Sequence, residues 1–292
     1  MDGFSDLVRL FHLRANVYHN AKICGNWLYS QGESSKTCFH VVTEGSCVLD
    51  VPGHLSTVLD VGDVVIFPRE VPHTMYPATE VKGDQEVVAF HEAEGLDGTG
   101  MLCAQANFDH LGSHYLVDAL PTVFVVRHDA DQPWACHLKT LIMLESVNPS
   151  MASDTIINRL SEMLFIYAIR TYMQAENAPV GLLALYADSR LKQAIAALHQ
   201  DIKFAWTVES LAKQANMSRT AFAEKFKAVS GWTPAQYLAW WRMQMAWQWL
   251  SEGRSVADVA DSVGYQSEAA FSRAFQRQFQ RTVGQVRRGV SV

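Results

Sequence analysis

The chain has 292 residues, of which 49% are apolar and 18% are charged, so packed cores are expected and a globally disordered chain is excluded. The longest unbroken apolar run, from Met163 to Ile169, is far shorter than the roughly 20 residues of a membrane-spanning helix. The acidic N-terminus lacks the pattern of a signal peptide, and we expect a cytoplasmic protein without a membrane partner.

Charge divides the chain into two parts. Residues 1–187 carry 10 Lys and Arg against 22 Asp and Glu, a net charge of −12. Residues 188–292 carry 14 against 8, a net charge of +6. Because a basic region suits a polyanion and an acidic region does not, the chain is predicted to contain two domains with different partners.

Residues 1–118 have the pattern of a β-rich domain. From Cys38 to Val42 the side chains alternate between two faces, which places His40 on the same face as Cys38. Glu44-Gly45 and Gly62-Asp63 mark turns between short apolar runs. Short strands separated by Gly and Pro about every eight to twelve residues predict a sandwich or a barrel.

The segments FHVVTEGSCVLDVPG and LDVGDVVIFPREVPH resemble the two sequence motifs of a cupin barrel, a small jelly roll. Metal-binding cupins carry His-x-His, a following Glu and a later His. Here Cys38 stands at the place of the first His, followed by His40, Glu44 and His73. The resemblance therefore implies a candidate zinc site on Cys38, His40 and His73. In the alternative there is no cofactor, the two imidazoles hydrogen-bond locally, and Cys38 packs as a small apolar residue.

Residues 119–178 are predicted to form a helical dimerisation and linker region. Apolar residues recur there at spacings of three and four and give one broad stripe, formed by Ile156, Leu160, Met163, Leu164 and Tyr167. Few charges flank this stripe, so we expect it to form a homodimer interface. The alternative is that the stripe packs on the chain's own β-domain.

The segment 188–292 contains an internal repeat. Thr207–Lys213 and Ser255–Asp261 each begin with a hydroxyl residue that can cap a helix, and each carries Ala at the sixth position. A turn and a second helix follow, capped by Ser218 or Ser267. Two copies of helix, turn and helix predict two helix-turn-helix motifs.

The second helix of each copy has an apolar face that is predicted to be buried and an outward face that suits the major groove of DNA. Small side chains and hydrogen-bonding tips alternate on the outward faces, and such tips reach base edges. The predicted DNA-contacting residues are Arg219, Thr220, Ala223, Glu224 and Lys227 in the first copy, and Glu268, Ala269, Ser272, Arg273 and Arg277 in the second.

The repeat, from WTVESLAKQANMSRTAFAEKF to SVADVADSVGYQSEAAFSRAFQRQF, closely resembles the DNA-binding domain of the AraC/XylS family. Together with the cupin-like start, this implies an α+β protein: a cupin-like β-barrel, then helices, then an all-α tandem helix-turn-helix domain. The resemblance implies a one-component transcriptional regulator that binds double-stranded promoter DNA, and RNA polymerase too if it is an activator. The chain departs from the family where Thr282-Val283 replaces a Ser/Thr-Pro, so the last helix is expected to pack differently.

An enzyme is not expected, because the chain lacks a nucleophile elbow, a P-loop and a dinucleotide fingerprint. The alternative that stays open is a metal-dependent cupin oxygenase fused to a DNA-binding module.

Two cysteines are candidate sensor residues. Cys24 and Cys103 resemble, in position, cysteines of cupin-containing AraC-type regulators that respond to reactive chlorine species. The first and last strands of a jelly roll often run side by side, so the two sulfurs are expected within bridging distance, with Cα atoms closer than about 7 Å. The signal would then be a thiol oxidant or electrophile. The alternatives are a small ligand in the barrel and two buried, inert thiols.

Overall fold

The computed structural model describes residues 2–128, 133–175 and 181–288. Contacts divide the chain into two units, a sheet unit of residues 12–177 and a helical unit of residues 1–11 and 178–292. Residues 176–180, within the predicted linker region, lie outside the described residues. The α+β class is confirmed, but the first eleven residues belong to the helical unit, although the sequence placed them in the first domain.

The strands of the sheet unit pair antiparallel in two sheets. In the described residues the strands are β1 Leu13–Cys24, β2 Tyr29–Gln31, β3 Thr37–Glu44, β4 Cys47–Val51, β5 Leu55–Leu59, β6 Val64–Phe67, β7 His73–Pro77, β8 Glu86–Val88, β9 Thr99–Phe108 and β10 Phe124–Val126. One sheet has the order β10-β6-β3-β9-β1-β8 and the other the order β2-β7-β4-β5.

The core of the sheet unit lies between the two sheets. Val42 of β3 and Met101 of β9 from the larger sheet pack with Leu49 of β4 and Met75 of β7 from the smaller one. The described strands thus form a two-sheet sandwich in place of the closed barrel that was expected. The alternation of side chains along each strand separates this inner face from an outer face.

The helices of the sheet unit are α2 His114–Asp118, α3 Pro133–Val147 and α4 Ser153–Gln174. Helix α4 packs on the outer face of the larger sheet, and α3 packs against α4. The rings of Phe39 on β3 and Phe165 on α4 lie 5.6 Å apart. No helix in the described parts of the chain has the length and apolar character needed to cross a membrane.

The predicted stripe on α4 is split between two faces. Leu164 is buried in the sheet unit together with Ile157 and Phe165, whereas Ile156 and Met163 are exposed. The stripe therefore packs partly on the chain's own sheet, as the alternative held. A helix has one apolar stripe in sequence, but the sheet beneath it decides which half of that stripe is covered.

The helical unit contains the predicted repeat and a helix from the start of the chain. Its helices are α1 Gly3–Phe11, α5 Ala184–Ala187, α6 Leu191–Gln200, α7 Val208–Gln214, α8 Arg219–Ser230, α9 Pro234–Ser251, α10 Val256–Ser262, α11 Glu268–Phe279 and α12 Val283–Arg287.

Helix α1 packs against α6 and α9. Its apolar residues Leu7, Leu10 and Phe11 are almost fully buried. At Gly3, a Cβ atom would lie 2.9 Å from a methyl carbon of Ile195, so only glycine fits without a shift. Helix α1 is thus part of the core of the helical unit.

A chain of polar side chains joins α1 to α9. His199 Nδ1 lies 3.4 Å from an Asp6 carboxylate oxygen, and its Nε2 lies 2.7 Å from the Tyr237 hydroxyl. The Tyr237 hydroxyl lies 2.8 Å from that of Tyr186. The His199 ring also stacks on Trp241 at 3.6 Å, and burial lowers the pKa of His199 below its usual value.

Candidate nucleic-acid interface and interior site

The two helix-turn-helix copies share one turn geometry. In the first copy the Met217 N–H donates to the Ala212 carbonyl at 2.9 Å, and in the second the Tyr265 N–H donates to the Ala260 carbonyl at 2.9 Å. Because the two turns still match at these bonds, the residue that lengthens the second copy is Gln266, just before the next helix.

Side-chain caps begin the second helix of each copy. The Ser218 hydroxyl accepts from the Ala221 N–H at 3.3 Å, and the Ser267 hydroxyl accepts from the Ala270 N–H at 3.2 Å. Each cap satisfies a backbone donor that the first turn of a helix leaves unpaired. Helices α8 and α11 therefore start at equivalent positions.

The phenylalanines of α8 and α11 point into the helical unit, as predicted. Phe222, Phe226, Phe271 and Phe275 are almost fully buried. This leaves the opposite faces to solvent, and the predicted DNA-contacting residues all lie on them. Eight of the ten are exposed, and Ala223 and Ser272 are half-buried.

Polar side-chain contacts connect the loop before α7 to other parts of the helical unit. The Arg242 guanidinium donates to the carbonyls of Ile202 and Phe204 at 3.0 and 2.9 Å. Lys203 pairs with Asp261 of α10 at 2.7 Å. The loop before α7 is thereby tied both to α9 and to the second copy.

The sequence departure at Thr282-Val283 leaves the cap of the last helix intact. The Thr282 hydroxyl accepts from the Gln285 N–H at 3.3 Å, and the Gln285 side chain accepts from the Thr282 N–H at 2.8 Å. Thr233 and Gln236 form the same reciprocal cap at the start of α9. The cap thus forms without the proline, since a hydroxyl and an amide side chain are sufficient for it. The expectation that this end packs differently stays a prediction.

The inner face of the larger sheet carries a row of reactive side chains. His19 on β1 and His40 on β3 are both direct partners of Cys103 on β9. The row thus crosses three adjacent strands. His73, from the smaller sheet, faces it, with its ring centre 5.7 Å from that of His40. His19 was missed in the sequence because a bulge between Val17 and His19 interrupts the alternation of β1.

Burial leaves these imidazoles neutral and mostly without partners. His40 and His73 are 1% and 2% exposed, and burial lowers the pKa of His40 to about 3. His19 Nε2, His73 Nε2 and both ring nitrogens of His40 are buried and have no hydrogen-bond partner. Burial also raises the pKa of the Cys103 thiol above its usual value.

The predicted zinc ligands are only partly assembled. His40 and His73 adjoin, but Cys38 hydrogen-bonds to Glu70 at one end of the sandwich. Burial and the Glu70 carboxylate raise the pKa of the Cys38 thiol to about 12, which disfavours the thiolate that a metal requires. In their present rotamers, no three His, Cys, Asp or Glu side chains of the described residues lie close enough to share an ion.

Cys24 and Cys103 are not within bridging distance. They lie on neighbouring strands, but Cys103 pairs with His19 and Cys24 comes five residues later on β1. This corresponds to about 17 Å along the sheet at roughly 3.4 Å per residue. Alternation also places the two side chains on opposite faces. The expectation of close sulfurs is therefore wrong, and a sensor role for either thiol stays a prediction.

Comparison with known proteins relates both parts of the chain to described families. Residues 2–174 match the family described as Cupin, and residues 211–289 match a family described as helix-turn-helix domain. The RCS-specific HTH-type transcriptional activator RclR of Escherichia coli K12 is 29% identical, covering 99% of this chain and 98% of its own.

Two further similar proteins extend this comparison. An AraC-like transcription regulator of Streptomyces lividans is 31% identical and covers 95% of both chains. The crystal structure of a DNA-binding transcriptional dual regulator from E. coli K-12 is 25% identical, covering 34% of this chain and 88% of that one, with a TM-score of 0.32.

Proposed function

Because the chain belongs to the AraC-like DNA-binding transcriptional regulators and its N-terminal part to the cupin family, we propose that α8 and α11 read promoter DNA and that the sheet unit perceives the signal. The observation that carries the proposal is the exposure of the outward faces of both helices while their phenylalanines are buried. Helices held in this way can each enter a major groove, about one helical turn apart.

The ten outward residues divide by chemistry into base readers and phosphate contacts. Arg273 lies mid-helix on the exposed face of α11, and arginine is the commonest bidentate reader of guanine. Arg219 and Lys227, near the ends of α8, suit phosphate oxygens, which fix register without reading sequence. We therefore assign the DNA-sequence specificity chiefly to the residues in the middle of each helix.

Salt is expected to weaken DNA binding steeply. If the protein neutralises about six phosphates, a plot of log affinity against log salt concentration should have a slope of about −5. The measurement is the affinity of the full chain for a duplex enriched from a random-sequence pool, at several salt concentrations. A flat plot, or a pool from which no duplex is enriched, would contradict DNA binding by these faces.

We further propose a homodimer formed through the hairpin of α3 and α4. The large apolar side chains that these helices and the turn between them leave exposed make up the candidate patch: Leu141, Leu144, Val147, Met151, Ile156 and Met163. Exposed apolar side chains gain free energy when a second copy covers them, and a two-fold interface uses the same patch on both copies.

Charges placed in this patch are expected to produce monomers. Leu144→Glu combined with Met163→Glu should halve the mass in solution while leaving the sheet unit folded, because both side chains are exposed. Leu164 is unsuitable because it is buried in its own unit. Analytical ultracentrifugation provides the measurement, with Leu28→Glu, another exposed leucine, as the control. A wild-type monomer at high micromolar concentration would refute the dimer.

Action at a promoter places the protein in the cytoplasm and, if it activates, beside RNA polymerase. The similar proteins are transcriptional regulators, and we propose that the chain has no catalytic activity. The signal perceived by the sheet unit is either a thiol-reactive compound or a small ligand. Of the two candidate sensor thiols, Cys24 is partly exposed and is more accessible to an oxidant than the buried Cys103.

A further inference from the structure

Glu224 of α8 and Arg273 of α11 occupy equivalent positions in the two helix-turn-helix copies. Each stands midway between two buried phenylalanines, two residues after one and two residues before the next. Successive side chains of an α-helix are about 100° apart, so a residue in this position lies on the side opposite the buried face. The exposed faces of the two helices therefore carry charges of opposite sign at the same place.

The Glu224 carboxylate has no bonding partner. Segment 188–292 contains eight acidic residues, and six of them form an ion pair or accept a hydrogen bond through their side chains. These six are Asp188, Asp201, Glu209, Glu252, Asp258 and Asp261. In the described residues Glu224 and Glu268 form no such contact, and they are the two acidic residues among the predicted DNA-contacting side chains.

Local structure explains the position of Glu268 but leaves that of Glu224 unexplained. Glu268 is the first residue of α11, where the helix dipole stabilises a negative charge. Glu224 lies in the middle of α8, and the adjacent Lys225 is already paired with Asp188 at 2.6 Å. Lys227 has a spacing at which helical ion pairs form, but no ion pair joins it to Glu224 in the described residues.

A carboxylate that faces DNA is either repelled or bonded to a base. The phosphates give the duplex a high density of negative charge, so an unbonded Glu224 would weaken binding to every sequence. In the major groove cytosine presents the N4 amino donor and no acceptor of its own. Adenine presents its N6 amino group next to the N7 acceptor, which repels a carboxylate. Cytosine is therefore the base that Glu224 can bond.

The neighbours of Glu224 leave room for this contact. Thr220 lies one turn earlier on the same face of α8, and Ala223 is adjacent in sequence. Both side chains are small, and both suit the methyl group of thymine. The middle of α8 thus presents one hydrogen-bond acceptor among small side chains, which allows the helix to approach the base edges closely.

We propose that Glu224 selects cytosine by accepting a hydrogen bond from its N4 amino group in the major groove. The inference rests on the proposed function, because it requires α8 to enter the groove. Arg273 and Glu224 then read guanine and cytosine from equivalent positions of the two copies. Glu224 acts through two effects of opposite sign, which are attraction at cytosine and repulsion by the phosphates of every other sequence.

The first test compares the DNA sequences that two full-length proteins select. Wild type and Glu224→Gln are each used to enrich duplexes from a random-sequence pool. Glutamine has the same length as glutamate but bonds N6 and N7 of adenine together. We expect two motifs that agree except at one position, which changes from cytosine to adenine. The guanine assigned to Arg273 should stay. Glu224→Ala should lose the preference at that one position without gaining another.

The second test measures affinity. Glu224→Gln should bind the wild-type duplex about tenfold more weakly, because a base contact is lost. It should bind random-sequence DNA more tightly, because one negative charge is removed. Glu252→Gln is the matched control, since it removes the same charge from an exposed residue outside α8 and α11. The control should raise both affinities by the same small factor. Melting temperatures report folding, which substitutions at these exposed positions should leave unchanged.

Two results would overturn the inference while the proposed function stands. One is the same enriched motif for wild type, Glu224→Gln and Glu224→Ala. The other is an affinity change by the same factor on both duplexes, as in the control, which would make Glu224 a solvated surface charge. If the wild type enriches no duplex at all, the proposed function fails and this inference fails with it.

Discussion

Arg273→Ala is expected to weaken binding to a selected duplex by about 1–3 kcal/mol, or roughly 5- to 150-fold, and to weaken binding to random-sequence DNA much less. Arg273 is exposed in the middle of α11, whose opposite face is fixed by the buried Phe271 and Phe275. A bidentate contact with guanine exists only at the correct base, so its loss removes discrimination along with affinity. Competition binding with the two duplexes measures both quantities.

Arg190→Ala is the matched control for this experiment. Arg190 is an exposed arginine of the same unit that lies before α6 and belongs to neither α8 nor α11. The substitution removes one positive charge, so we expect a small loss of affinity that is the same for both duplexes. If Arg273→Ala also lowers the affinity for both duplexes by the same factor, Arg273 contacts phosphate alone and its assignment as a base reader is wrong.

Leu10→Ala is expected to lower the free energy of unfolding of the helical unit by about 2–5 kcal/mol, although residue 10 is remote in sequence from the repeat. Leu10 is 1% exposed on α1, which packs against α6 and α9. Removing its buried methyl groups loses transfer free energy and leaves a cavity. Urea unfolding monitored by tryptophan fluorescence reports the change, because Trp240 and Trp241 are in this unit.

Leu28→Ala is the control, because Leu28 is 63% exposed and belongs to the sheet unit. It should leave the unfolding transition of the helical unit unchanged.

Residues 188–292 alone, which lack α1 and α5, should still bind duplex DNA but unfold at a lower urea concentration than the same unit in the full chain. Equal midpoints for Leu10→Ala and wild type would show that α1 does not contribute to this core.

Sequence reasoning predicted the repeat because its signals are local. Each copy spans about 25 residues, and this length contains the hydroxyl caps, the small residue at the helix crossing and the phenylalanines at spacings of four. Phe222 and Phe271 are buried as predicted. The family resemblance supported the same assignment. The sandwich was predicted from alternation and turns, which are also local, whereas closure into a barrel depends on pairing between distant strands.

The sequence could not reveal the features that depend on register. A bulge after Val17 moves His19 onto the inner face, and no local pattern marks that bulge. The same register places Cys24 and Cys103 on opposite faces, since a shift of one residue reverses every side chain of a strand. The docking of α1 was missed because its partners in α6 and α9 lie roughly 190 or more residues further along the chain.

The position of α1 also determines when the helical unit can be completed during synthesis. The ribosome makes α1 first, but α6 and α9, against which α1 packs, follow only after the whole sheet unit has been made. Until then the apolar side of α1, with Leu7 and Phe11, has no native partner. Contacts between residues so far apart in sequence form slowly. An apolar helix that stays exposed in the meantime is prone to aggregate. Nascent chains should therefore depend on a chaperone bound near the N-terminus until residue 251 has left the exit tunnel.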